Sequence, residues 1–143
     1  MTEPSRQSDT AAELNEFFGP RVPGLLGVNF DSCTPDNVTG HIAVTDALIA
    51  GTGFLFAPAI VALADTLAAG GTGANLERDG ESFTTIELKA NFLGTASLGQ
   101  TVIGTAVPVH RGKSTHVWDV TVTNASTDRV IALFRCTQMI LRT

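Results

Sequence analysis

The chain has little cysteine, and the little it has is scattered. Its 143 residues hold two, Cys33 and Cys136, with no CxxC pair and no cluster of histidines. That pattern excludes a zinc site built on paired thiolates and a disulfide scaffold. It fits a reducing, cytoplasmic setting. Charge is also scarce, at 16%, and the 14 acidic residues outnumber the 9 basic ones for a net charge of −5. A domain that grips duplex nucleic acid carries a basic excess, so nucleic acid is not an expected partner. The opening MTEPSRQSDT is polar and lacks the apolar stretch of a signal peptide. The longest uncharged run, Ala47 to Ala64, is interrupted by Gly51-Thr52-Gly53 and by Pro58. A loop leading into a buried helix explains it better than a membrane span, so no membrane partner is expected. Internal repeats and low-complexity tracts are absent.

What is present is enough apolar residue, 43%, to build one core. The length suits one compact domain. Residues 1–20 read as a tail and a short helix, and 21–143 as a single domain. The short helix is expected over Ala11 to Phe18, capped by Asp9 or Thr10 and stopped by Gly19-Pro20. Leu25 to Ser32 and Asn37 to Val44 read as strands joined by the turn Thr34-Pro35-Asp36-Asn37. The one long helix is expected over Ala57 to Gly70, with Pro58 in its first turn and Gly70-Gly71 as its end. It is apolar on every face, so it must be buried on most sides. Beyond Gly80 the pattern is strand. Thr85, Glu87, Lys89 and Asn91 alternate with Ile86, Leu88, Ala90 and Phe92. Thr101 to His110 follows, with Pro108 marking an edge or a bulge, then His116 to Thr123 and Arg129 to Leu141. Two strands, one buried helix and four hairpin-like strands make an α+β fold with an antiparallel sheet around the helix.

One residue breaks the pattern. Asp65 is the only charged residue between Asp46 and Glu77, and it sits in the middle of the apolar helix. Moving a carboxylate out of water costs several kcal/mol unless it is paired, hydrogen-bonded or neutralised. Desolvation raises a carboxyl pKa toward a value useful in catalysis, which makes Asp65 a candidate reacting group. The plainer alternative is that it faces a water-filled groove or caps a neighbouring backbone. A second candidate is the turn Arg111-Gly112-Lys113-Ser114-Thr115, whose cations, hydroxyls and amides could hold phosphates. Its plainer alternative is a solvated hairpin turn. His41, His110 and His116 are dispersed over the strands. No serine lies in a GxSxG elbow, and Gly51-Thr52-Gly53 lacks the Lys-Ser/Thr of a P-loop. The two cysteines read as packed or edge thiols.

Leu63-Ala64-Asp65-Thr66, the strand Ile86 to Leu93, the turn His110 to Thr115, and Ala132-Leu133-Phe134-Arg135 together resemble hotdog-fold acyl-CoA thioesterases. The phenylacetate-degradation (PaaI-type) group and its hydroxybenzoyl-CoA-hydrolysing relatives are the most similar. The resemblance runs in unbroken order from about Leu25 to Leu141. It implies a hotdog fold, a curved antiparallel sheet around the long helix, with sheets paired in a homodimer and dimers paired again into a homotetramer. The active site would lie between subunits. Asp65 would be the catalytic nucleophile or general base, and coenzyme A would enter as part of the acyl-CoA substrate, with no separate cofactor and no metal. The backbone N–H of Ala57 would polarise the thioester carbonyl. Phe56 and Pro58 would flank it in the substrate pocket. Arg111, Gly112, Lys113, Ser114 and Thr115 would hold CoA phosphates, and Asn91 would line the pocket from the partner subunit.

The sequence also departs from that family. Where it commonly has His-Gly-Gly, this chain has Phe56-Ala57-Pro58, and a polar Asn or Gln position falls at Ala50. The first glycine slot keeps an N–H as alanine and the second loses it as proline. Phe54 and Phe56 would make the pocket mouth more apolar. These departures leave three outcomes: a working thioesterase with a modified pocket, a hotdog enzyme of different specificity, and a hotdog protein that binds an acyl-CoA or apolar acid without turnover. A separate alternative is a hotdog hydratase or dehydratase, which would take His110 or His116 from a partner subunit.

Overall fold

A computed structural model describes residues 8–143, so the tail expected at the very start of the chain lies outside the described residues. Helix α1 (Ala11–Phe18) and a short helix α2 (Val22–Leu25) precede strands β1 (Asn29–Cys33) and β2 (Val38–Ala43). Helix α3 (Ala57–Ala74) follows, then β3 (Glu81–Phe92), β4 (Thr101–Arg111), β5 (Thr115–Asn124) and β6 (Arg129–Arg142). All six strands form one curved antiparallel sheet in the order β1-β2-β4-β5-β6-β3, and α3 packs on its concave side. This is the hotdog arrangement.

The expected first strand begins later than the sequence suggests. Val22-Pro23-Gly24-Leu25 forms a turn of helix, with Pro in its opening positions, and Gly27 reverses the chain at a φ of 86°. At the β1–β2 turn, Thr34 Oγ1 accepts from the Asn37 N–H at 3.2 Å and donates to the Asn37 carbonyl at 3.1 Å. Pro108 lies beside a bulge of β4, as expected, and beyond Ala106, the last β4 residue that pairs with β2, so it is paired only with β5 there.

The long helix corrects the expectation that Gly70-Gly71 stops it, since it continues to Ala74. Those glycines are packing positions. A Cβ on Gly70 would lie 2.6 Å from Phe30, and one on Gly71 would lie 2.3 Å from the Trp118 ring. Close approach of helix to sheet therefore outweighs the roughly 1 kcal/mol per residue by which glycine disfavours a helix. The helix stops at Asn75, whose Nδ2 donates to the Gly71 and Pro35 carbonyls at 2.8 and 2.9 Å. A second close approach occurs on the other flank. Gly40 of β2 and Gly104 of β4 are directly paired, and Leu67 of α3 fills the space that both leave open. Leu63, Leu67, Trp118, Val120 and Val122 are sealed between the layers. Each such aliphatic side chain contributes about 1.5–3 kcal/mol on burial. Both cysteines are buried there as free thiols.

The strands after the helix do not run as four successive hairpins. β4, β5 and β6 pair in sequence, but β3 crosses to the far side of β6 and forms an edge. The β1 edge is covered: Asn15 of α1 donates to the Phe30 carbonyl at 2.9 Å and accepts from its N–H at 2.7 Å. Asp9 secures the same helix, accepting from the Ala11 and Cys33 N–H groups and from the Ser32 hydroxyl. The β3 edge has no such cover among the described residues, and Ile86 and Leu88 along it are about half exposed. An uncovered edge of this length is a template for another strand.

Candidate active site

Asp65 projects from the middle of α3 toward β3 and is partly buried. Its Oδ1 accepts a hydrogen bond from Thr85 Oγ1 at 2.9 Å. No cation pairs with it among the described residues. Burial pushes its carboxyl above the ordinary 3.8, and the Thr85 hydrogen bond holds it back in part. Beside it, the Cys136 thiol is pushed up to about 12, chiefly by burial and then by the Asp65 charge. That sulfur stays protonated and offers no nucleophile.

Thr85 was hidden in the sequence. A strict alternation groups it with Glu87, Lys89 and Asn91, away from the helix. The β3–β6 register slips at Ile86, between Thr85 and Glu87. A bulge adds one residue and reverses the faces beyond it. Thr85 therefore pairs with buried Gln138 and faces Asp65, while Leu88, Ala90 and Phe92 take up the inner face further along. Asn91 pairs with Leu133 and lies on the outer face, in a shallow cleft with Asp119 and Arg135. Within one chain it does not meet Asp65.

At the start of α3, Phe56 occupies the N-cap position without a side-chain hydrogen bond. The Phe56 carbonyl accepts from Ala59 N–H at 2.9 Å. Pro58 has no N–H, and the Ala57 N–H has no acceptor among the described residues. It is a free donor at the positive end of the helix, the arrangement that stabilises a developing oxyanion. Ala50 lies across from it in a tight loop, where its N–H donates to the Phe54 carbonyl at 2.8 Å. Ala50, Phe56, Pro58 and Ala59, with Leu26, Leu48 and Ile49, line a cleft of about 410 Å³ whose walls are mainly apolar.

The turn Arg111 to Thr115 borders a different cleft of about 440 Å³, beyond the C-terminal end of α3. Four cations line it, Arg78, Arg111, Lys113 and Arg142, against the carboxylates Glu77 and Glu81. Arg142 pairs with Glu81 at 3.3 Å. Arg111 is engaged as well, donating to Asp36 Oδ1 at 2.6 Å and to the Pro35 carbonyl at 3.2 Å. Gly112 N–H closes the turn on the Thr115 carbonyl at 2.9 Å. Lys113 and Ser114 stand exposed at its tip, and Thr115 is half-buried at the start of β5. Among the described residues, no group of three His, Cys, Asp or Glu side chains converges as a metal site, and no helix is long and apolar enough to cross a membrane.

A sequence model of the Thioesterase superfamily matches residues 52–131, which include the α3 start, Asp65, Thr85 and the basic turn. The chain belongs to this superfamily. Relatives and solved structures agree. A 1,4-dihydroxy-2-naphthoyl-CoA hydrolase of Listeria monocytogenes is 30% identical, the match covering 78% of this chain and 89% of that protein. The crystal structure of a mutant of thioesterase PA1618 from Pseudomonas aeruginosa superposes with a TM-score of 0.89 at 24% identity, over 96% of this chain and 98% of that one. The smu.793 protein of Streptococcus mutans, crystallised with acetyl CoA bound, superposes with a TM-score of 0.73 at 25% identity, over 81% and 91% of the two chains. Thioester hydrolysis is the general activity that this membership supports.

Proposed function

We propose that the protein hydrolyses an acyl-CoA thioester to a free acid and CoA, with Asp65 as the reacting carboxylate. The observation that carries this reading is a partly buried carboxylate in an otherwise uncharged helix, with one oxygen held by Thr85. Acting as general base, Asp65 takes a proton from water as the water oxygen bonds to the thioester carbon. The tetrahedral oxyanion then collapses, the C–S bond breaks, and the CoA sulfur recovers the proton. Acting as nucleophile, Asp65 bonds to the thioester carbon, the C–S bond breaks and CoA leaves as thiolate. Water then opens the mixed anhydride, restoring the carboxylate and supplying the proton that the CoA sulfur takes up. The Ala57 N–H supplies the oxyanion donor in either route.

These two groups are not adjacent in one chain. Ala57 and Asp65 are eight residues apart on α3, about 12 Å along the axis. A reacting carbonyl must lie about 3 Å from both donor and attacking atom. The site is therefore completed by a second copy, whose helix start faces this chain's Asp65, and the uncovered β3 edge supplies a seam for that pairing. Lys113 and Arg78 line the cationic cleft, and Ser114 and Thr115 continue the same turn beside it; this supports the turn as the part that receives the phosphates of CoA. Acetyl CoA in the streptococcal structure and the naphthoyl-CoA chemistry of the Listeria relative support an acyl-CoA as the substrate class. The apolar cleft at Ala50 and Phe56 favours a hydrocarbon or aromatic acyl group over a polar one.

A second reading rests on the same helix start. Pro58 removes one amide donor and Ala50 has no polar side chain, so the site could hold an acyl-CoA without turning it over. Free-thiol release from a panel of aromatic and aliphatic acyl-CoAs, with Asp65→Asn beside the wild type, separates the two. Turnover that collapses in the variant supports the hydrolase. Binding without thiol release in the wild type leaves the binding protein.

A further inference from the structure

Four buried side-chain atoms have no hydrogen-bond partner among the described residues: Thr72 Oγ1, His116 Nδ1, Trp118 Nε1 and Gln138 Oε1. Two of them belong to directly paired residues. Gln138 lies on β6 between Thr85 on β3 and His116 on β5, so the three form one row across the inner face of the sheet. Gln138 is fully buried. A buried amide with an unmet oxygen is destabilising, and a leucine of similar volume would avoid that cost.

The amide has a specific neighbour. Gln138 Nε2 lies 3.4 Å from Thr85 Oγ1, which lies 2.9 Å from Asp65 Oδ1. The direction of this chain is fixed by counting protons. An ionised carboxylate only accepts, an amide nitrogen only donates, and a hydroxyl has a single proton. Thr85 must spend that proton on Asp65, so it can only accept from Gln138. The reverse amide orientation would present an oxygen to Thr85 and set it in competition with Asp65 for the one proton.

We propose that Gln138 is a positioning residue for Asp65. Its amide holds the Thr85 hydroxyl so that the proton points at Oδ1, which leaves Oδ2 as the oxygen that meets water or the thioester. The unmet Gln138 Oε1 and the neighbouring His116 Nδ1 are the far end of the same row. The role in turnover rests on the reading of Asp65 given above, whereas the role in holding its carboxylate does not. Few other ionisable groups face this cluster. From β6 there is Cys136, which stays a thiol, and from β5 there is His116, whose pKa burial lowers. From β3, Glu87 sits just past the bulge and is exposed. At the end of β4, Arg111 is paired with Asp36, while Asp31 and His41 on β1 and β2 pair with each other. On α3 itself Asp65 stands alone.

The test is a carbon-13 titration of the Asp65 carboxyl together with the side-chain amide signals of Gln138, in the intact protein. In the wild type the Gln138 amide should move with pH at the Asp65 midpoint. Thr85→Val should raise that midpoint and stop the Gln138 amide from following it. Thr85→Ser should restore both. Gln138→Met, which keeps volume, should raise the midpoint as well, and the double variant should match Thr85→Val alone. In acyl-CoA hydrolysis the same variants should lower kcat several-fold and move its acidic limb upward while KM holds. A folded Gln138→Met with the wild-type midpoint overturns the proposal, as does additivity in the double variant. Should Gln138→Met fail to fold, the wild-type titration decides: an amide signal indifferent to Asp65 overturns it. If the Asp65 midpoint behaves as expected but the wild type hydrolyses nothing, the hydrolase reading falls and the positioning role stands.

Discussion

The two ends of α3 are built on opposite principles. From Leu63 onward the helix is locked in place: Leu67 sits on the Gly40–Gly104 pair, Gly71 meets Trp118, and Asn75 closes the last turn. Within that packing stands a polar chain in which Asp65, Thr85 and Gln138 are ordered by the number of protons available. The start of the helix is the reverse. Phe56, Pro58 and Ala50 line an apolar cleft at that end, and the Ala57 N–H has no acceptor among the described residues. The difference teaches that one helix can hold a buried polar chain along its packed length and a bare apolar entrance at its start. Under the proposed mechanism, charge development would be met by a single amide, and recognition at that end would depend on shape and apolar surface.

The largest test of this contrast removes the carboxylate. Asp65→Asn should reduce thiol release at least about 100-fold, the usual scale for a lost general base. The same change should raise Tm at pH 7. Burial lifts the Asp65 pKa, so its favourable contribution to stability is present below the ordinary value of 3.8 and is lost as pH rises through the folded value. At neutral pH the ionised group costs stability, and at pH 3 the variant and wild type should melt alike. Next in size is packing at the locked end. Gly71→Ala places a Cβ against the Trp118 ring and should lower stability by about 1–3 kcal/mol in a denaturant titration. A third change works at the open end. Pro58→Gly with Ala50→Gln supplies one N–H and one polar side chain, and should raise kcat about tenfold if oxyanion stabilisation limits turnover. An unchanged kcat would mean that the Ala57 amide alone suffices. The smallest effect concerns His116. Burial, aided by the nearby Arg111 and His110 charges, lowers its pKa below 6.5, so its contribution to stability is present above 6.5 and is lost as pH falls through the folded value. Melting curves from pH 8 to pH 5 should show a decline that His116→Gln flattens.

Much of the architecture could be read from local pattern. The single apolar helix, the alternating strands after Gly80 and the α1 limits at Ala11 and Phe18 all appear in the structure. The features that could not be read are those set by distant partners. Gly70-Gly71 looks like a stop signal until Phe30 and Trp118 are placed against it. The pairing of β3 with β6 joins segments about fifty residues apart, which alternation along the chain cannot reveal. The site divides in the same way. Asp65 stood out because one charge in a long uncharged stretch is visible in sequence. Thr85 did not, because a one-residue bulge reversed the face on which a perfect alternation would place it. Gln138 was hidden in the last strand, where nothing local distinguishes a buried amide from a solvated one.

The two sealed sulfurs have a practical consequence. Cys33 and Cys136 are inaccessible, and burial raises the pKa of both thiols. A disulfide reagent that develops colour with free thiols should therefore give no signal from the folded protein itself. Colour that grows with time in the presence of an acyl-CoA reports liberated coenzyme alone. When the protein is denatured, two equivalents per chain should appear at once. One reagent thus measures turnover in the native state and the unfolded fraction during melting, in the same cuvette.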